Sequence, residues 1–289
     1  MGTVVTVQAL RSGPDASSSM NRAFGWFHEI ESRCTRFDPS SELRQLTAQV
    51  GVAVPAGAIL FEAVRFALLA AEASGGAFDP TIGRRMEARG FNRDYRSGER
   101  SQATCKVEDG VSFRDVRLDE ERRTIALLRP LTLDLGAVAK GLAVDLAARE
   151  LAPLRDFAID AGGDLYLGGR NEHGEPWRVG VRHPRNQREL IASLRVSDRA
   201  VCTSGDYERR VEEGGEHHIL DPRTGGSPRA TASATVVAAG AMLADALATA
   251  AFVLGPEEGV ALLERMGVDG LIVAPDLARF ATRGLHHVA

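Results

Sequence analysis

Apolar residues recur along this chain at two periods, one helical and one extended. Met20, Phe24, Phe27, Ile30 and Cys34 step by three and four, which predicts an amphipathic helix stopped by Asp38-Pro39-Ser40-Ser41. A second helix is expected over about residues 58–74, with Gly75-Gly76 as its stop signal. Residues 138–151 and 241–254 predict two more. Pro256 at a first helical position, followed by Glu257-Glu258, predicts a fifth over residues 256–266. Strands are expected over residues 3–9, 124–128, 131–134, 157–160, 177–181, 191–196, 200–203, 232–238 and 271–274. The polar, glycine-bearing stretch 89–100 reads as a loop.

Strands outnumber helices and do not alternate regularly with them. That predicts an α+β fold, a largely antiparallel mixed sheet flanked by helices, rather than a doubly wound α/β sheet. No repeat, low-complexity tract or long linker divides the 289 residues. Residues 1–289 are therefore expected to form a single compact unit, with room for two lobes.

Composition narrows the function classes. Hydrophobic residues make up 44% and charged residues 26%, which excludes a disordered or multi-span membrane protein. Lys and Arg number 35 against 39 Asp and Glu, for a net charge of -4, so no nucleic-acid footprint is present. The basic pairs Arg122-Arg123 and Arg209-Arg210 sit beside acids and read as solvated turns. Cys34, Cys105 and Cys202 are odd in number and far apart, which suggests neither a disulfide framework nor a zinc site. The apolar stretch 234–254 carries Asp245 in its middle and reads as strand, turn and buried helix, not as a transmembrane segment. No secretory leader is visible, so the chain as written is expected to be cytoplasmic, or periplasmic if a leader has been removed.

Five clusters could carry chemistry, each with a plainer alternative. Gly75-Gly76-Ala77-Phe78-Asp79-Pro80-Thr81 offers an acceptor and a hydroxyl beside a ring, or is only a helix stop and an Asp-Pro turn. Asp134-Leu135-Gly136-Ala137-Val138-Ala139-Lys140-Gly141 joins a strand to a helix, where backbone N–H groups and Lys140 could face an anion. It has neither P-loop nor Rossmann spacing. Asp160-Ala161-Gly162-Gly163-Asp164 reads as a hairpin turn. His217-His218-Ile219-Leu220-Asp221-Pro222-Arg223-Thr224-Gly225 holds a possible proton carrier and a guanidinium for phosphate, or is a polar strand end and turn. As a strand, it would point His218 and Leu220 one way and His217 and Ile219 the other. Asp245 and Thr249 share a helix face, where carboxylate and hydroxyl oxygens suit Mg²⁺, or the helix dipole alone stabilises the aspartate. Together these groups would suit phosphoryl or pyrophosphate chemistry.

The ordered set GGAFDPT, DLGAVAKGLAVD, DAGGD, TSGDYER, HHILDPRTG and ADALATAAFVLG resembles the ApbE-type family, the FAD:protein FMN transferases. The Met1-Gly2-Thr3 start and Arg36-Phe37-Asp38-Pro39-Ser40-Ser41-Glu42-Leu43 are also similar, and the likeness runs to about residue 255. The resemblance implies an α+β fold and Mg²⁺-dependent cleavage of FAD. FMN would pass to a Thr or Ser hydroxyl of an acceptor protein through a phosphoester bond, with release of AMP. It implies FAD contacts at Met1, Phe37, Ala77, Phe78, Asp79, Asp134, Lys140 and Leu220, and the Arg223 guanidinium is expected to help Lys140 hold phosphate oxygens. It implies Mg²⁺ on Asp245, Thr249 and the Ala137 carbonyl, and His218 as proton acceptor. Phe37 stands where many relatives have Tyr, which keeps the ring and loses the hydroxyl. The alternatives are a Mg²⁺-dependent FAD pyrophosphatase and a flavin-binding protein without turnover. The acceptor's identity and the oligomeric state stay open.

Overall fold

The computed structural model describes residues 2–10, 15–94, 98–101, 110–208, 217–285 and 287–288. Met1, Cys105 and Arg209-Arg210 lie outside them. In chain order the elements are β1 (Val5–Ala9), α1 (Ala16–Cys34), α2 (Glu42–Thr47), β2 (Ala53–Pro55), α3 (Ala58–Ala73) and α4 (Gly83–Ala88). There follow β3 (Val116–Asp119), β4 (Thr124–Leu127), α5 (Gly136–Leu151), β5 (Phe157–Ala161), β6 (Asp164–Gly168), β7 (Trp177–His183), β8 (Asn186–Val196) and β9 (Arg199–Gly205). The chain continues through β10 (Ser233–Ala238), α6 (Ala241–Leu254), α7 (Pro256–Arg265), β11 (Asp269–Val273), β12 (Arg279–Ala281) and β13 (His287–Val288).

A seven-stranded sheet in the order β1-β5-β6-β9-β10-β11-β12 forms the spine. Every ladder in it is antiparallel. Alternation along each strand gives the sheet two apolar faces. Phe157, Ile159, Ala200, Cys202, Ala234 and Val236 join the large core with α1, α3, α5 and α6. Leu167, Val201, Leu271 and Val273 face the other way, onto Val179, Val181, Ile191 and Leu194 of the β7–β8 hairpin. The fold is thus α+β, with helices on one face of an antiparallel sheet and a hairpin on the other.

Two helices matter most for function. In α6, buried Ala246, Leu247, Ala248 and Phe252 extend round the helix, as suits an element enclosed on several sides. Helix α5 crosses its start at Gly141, where an added Cβ would lie 2.5 Å from Met242 Cα. Asp145 of α5 then caps α6, accepting from the N–H groups of Ala241 at 2.6 Å and Met242 at 3.0 Å.

The five expected helices are present, and most expected strands are too. Three readings change. Residues 131–134 are not a strand of a sheet. Their groups bond instead to the segment before α4, Gly83 N–H to Thr132 O at 3.0 Å and Asp134 N–H to Pro80 O at 2.7 Å. Only the isolated bridge Ile82–Thr132 is left. Residues 218–220 likewise form no strand. Phe24 lies at the exposed rim of α1, while Ala23, Phe27, Ile30 and Cys34 fill its buried stripe.

Candidate active site

The Asp160–Asp164 segment is a hairpin turn between β5 and β6, with Gly162 at φ +65° and Gly163 at φ +94°. That backbone suits glycine and fits a tight turn in which both central residues have positive φ. The turn delivers Asp164 to the helix-facing side of the sheet, buried. There its Oδ2 lies 2.5 Å from the Lys140 ammonium of α5. Burial opposes the charge on Lys140, but the carboxylates of Asp245 and Asp164 outweigh it and hold its pKa above the usual value. Cys202 of β9 adjoins the same three groups, and burial, with both carboxylates, pushes its thiol well up. It is a neutral thiol, not a nucleophile.

Asp245 and Thr249 lie one turn apart on α6, as expected, and the Asp245 side chain is buried. The Thr249 hydroxyl is 3.2 Å from Ser204 Oγ of β9. Ala137 lies one turn before Lys140 on α5. Among the described residues no three His, Cys, Asp or Glu side chains are grouped to hold a metal. The expected Mg²⁺ set needs no such group. It consists of one buried carboxylate, a hydroxyl and a carbonyl, all hard oxygen donors of the kind Mg²⁺ accepts alongside water and phosphate.

Other clusters are tied into one wall through Arg36, Asp134, Phe91 and His218. Asp134 Oδ1 accepts from Gly136 N–H at 2.8 Å, and its Oδ2 accepts from Arg36 Nε at 2.6 Å. One helix N–H that sequence reasoning offered to an anion is therefore already used, and those of Val138 and Ala139 bond to Leu135 O. Arg36 also donates from Nη2 to Phe91 O at 2.6 Å. The Phe91 ring meets His218 edge-on, with centroids 6.5 Å apart. His217 is instead buried, with Nε2 3.1 Å from Pro228 O and its ring edge-on to Phe252. Only one histidine of the pair is thus presented at the wall, though not through strand alternation.

Ala77 and Phe78 are buried. The Asp79 carboxylate accepts from Thr81 N–H at 2.8 Å, Thr81 Oγ1 at 2.7 Å and Phe113 N–H at 3.0 Å. Burial still raises its pKa above the usual value. Leu220 is buried and Phe37 half-buried. Arg223 turns its fork onto Asp221, at 2.9 and 3.0 Å. Sequence reasoning met Asp164 as a turn residue, and Ser204 and Arg36 only within the resemblance, and gave none of the three a role at the site. The signal for Asp164 and Ser204 was a polar group on the helix-facing side of a strand.

Known proteins share this chain's sequence pattern and fold. The ApbE family profile matches residues 1–272. A Treponema pallidum protein named FAD:protein FMN transferase is 32% identical over 97% of this chain and 84% of its own length. One of the same name from Rhodobacter capsulatus is 38% identical over 72% of this chain, a match spanning 41% of that protein. The crystal structure of the Thermotoga maritima ApbE protein superposes with a TM-score of 0.85 at 29% identity, covering 98% of this chain and 94% of that one. A Pseudomonas stutzeri flavinyl transferase ApbE in its apo form gives 0.82 at 27% identity, covering 98% and 92%. With a match along nearly its whole length and the fold of solved members, the chain belongs to the ApbE family.

Proposed function

We propose that this chain is a FAD:protein FMN transferase that moves FMN from FAD to a Thr or Ser hydroxyl of an acceptor protein, releasing AMP, and that residues 1–289 act as one domain. The observation that carries the reading is the meeting of the Lys140 ammonium with buried Asp164 and Asp245, and the Thr249–Ser204 hydroxyl pair one turn along α6. A charged ammonium and hard oxygen donors at one point suit a pyrophosphate.

Lys140 stays protonated and holds phosphate oxygens. Asp134, Phe37 and the GGAFDPT loop bind the flavin nucleotide. His218, at the rim beside Phe91, takes the proton from the acceptor hydroxyl as its oxygen bonds to the FMN phosphorus. The bond from that phosphorus to the AMP oxygen breaks, and AMP leaves. Asp245, Thr249 and the Ala137 carbonyl would hold Mg²⁺, which when bound offsets charge on the phosphates.

The test is AMP release from FAD, with and without Mg²⁺ and an FMN-accepting domain. AMP that appears only with both, and an acceptor that gains the mass of FMN, supports transfer. Free FMN and AMP without acceptor make the chain a hydrolase. Bound FAD with neither product makes it a binding protein.

A further inference from the structure

Arg36 belongs to none of the groups assigned a role above, yet it is 5% exposed and touches four parts of the site's wall. Its Nε donates to Asp134 Oδ2 at 2.6 Å, its Nη2 donates to Phe91 O at 2.6 Å, and its Nη1 lies 3.7 Å from Glu87 Oε1. The guanidinium carbon also stands 4.3 Å above the centre of the Phe37 ring. A planar fork is the side-chain shape that can satisfy these partners together, since lysine has one point charge and no plane to stack.

We propose that Arg36 is a positioning residue for the flavin nucleotide. It fixes the Asp134 carboxylate in one orientation and covers one face of Phe37, which leaves a half-buried ring for a flat ligand ring to stack on. The inference rests on the reading of Asp134 and Phe37 as FAD contacts.

Each half has a physical reason. Asp134 Oδ1 is held by Gly136 N–H, so the bond from Arg36 to Oδ2 removes the remaining freedom of the group. The carboxylate is then held in one orientation before FAD arrives. Charge gives a second reason. Glu87 is buried, and Asp134 is half-buried. Two carboxylates beside an anionic dinucleotide would repel it. Arg36 faces both, and Arg84 Nη1 adds a second cation 2.7 Å from Glu87 Oε2. The same side chain ties the Phe91 backbone, whose ring flanks His218, to the turn that starts α5.

The test is FAD binding to the full chain, followed by quenching of flavin fluorescence, with thermal unfolding measured in parallel. Arg36→Ala strips Glu87 and Asp134 of a partner and is open to simple misfolding, so the informative variant is Arg36→Lys, which keeps the charge and loses the fork. FAD affinity is expected to fall about 10–100-fold, the range seen when a group that orients a binding side chain is changed. Asp134→Asn should lower affinity as well, and the double variant should lose clearly less than the product of the two single losses, because part of the effect of Arg36 runs through Asp134. If Arg36→Lys binds FAD as tightly as the parent, or if the two losses multiply in full, the inference is wrong. A purely structural Arg36 would lower the unfolding temperature without this coupling. A parent chain that binds no FAD overturns the proposed function and this inference together.

Discussion

The Lys140 ammonium lies 2.5 Å from Asp164 Oδ2 and so joins the second turn of α5 to the first residue of β6. Asp164 is enclosed, its side chain 2% exposed, while the Lys140 side chain is 24% exposed. Lys140→Met should therefore destabilise the fold by about 3–5 kcal/mol, the cost of leaving a buried charge without its partner. Asp164→Leu in the same chain should restore much of that loss. Denaturant unfolding of the two variants checks both points, and a Lys140→Met chain as stable as the parent would show that the pair carries no weight.

Asp245 is buried on α6 beside Lys140, where a carboxylate is costly unless it serves a cation. Asp245→Asn should lower Mg²⁺-dependent AMP release by about two to three orders of magnitude, as when one preorganised electrostatic contact is deleted. Mn²⁺ binding, read by the loss of the free-ion signal in electron paramagnetic resonance, should weaken in parallel. Undiminished turnover sinks the metal assignment.

The two neighbouring histidines should separate cleanly. His218→Ala is expected to slow FMN transfer about 10²–10⁴-fold with FAD affinity nearly unchanged, the loss expected for a proton acceptor. His217→Ala removes a ring packed on Phe252 and should lower thermal stability instead. Equal loss of binding and turnover in His218→Ala would make that residue structural.

Close approach of α5 and α6 depends on a missing side chain. Gly141→Ala places a methyl 2.5 Å from Met242 Cα and 2.6 Å from the Ala241 carbonyl oxygen, both backbone atoms. The helices must part to admit it, at a cost of about 1–3 kcal/mol for overpacking. A lowered unfolding midpoint with reduced AMP release is expected. A chain of unchanged stability would mean that the crossing tolerates a wider spacing.

Acid should loosen the HHILDPRTG turn. Burial works against the Asp221 carboxylate, but bonds from Arg223 outweigh it and hold its pKa below the usual value. The unfolded chain then takes up the proton first as pH falls. The group's contribution is complete above about pH 4 and is lost as pH drops through the lower folded value. Asp221→Asn should flatten that acid limb in a series of unfolding midpoints against pH, and an unaltered limb would refute the assignment.

Much of this was legible in the sequence, and the limits have physical causes. The long helices α1, α3, α5, α6 and α7 announce themselves because each buries a stripe or a full surface. The short elements α2, α4, β2 and β12 carry too few residues for any period to show. Residues 131–134 alternate like a strand because Leu131 and Leu133 are both buried, yet their backbone partners lie in a loop far away in sequence. Asp134, Lys140, His218, Asp245 and Thr249 were visible as chemistry set among glycines and alanines. Arg36 was not, since a lone arginine after a helix looks solvent-facing until the fold closes Asp134, Glu87 and Phe37 around it.

The carboxylate of Asp145, bonded to the first two N–H groups of α6, gives the site its mechanical character. It acts as a latch between the helix that bears Lys140 and the helix that bears Asp245. With Gly141 as the hinge pin beside it, neither helix can slide along the other without breaking both bonds. The spacing of ammonium and carboxylate is therefore settled when the chain folds. On the proposed reading the protein is a fixture into which substrate is seated, with ammonium and carboxylate set in place before it arrives.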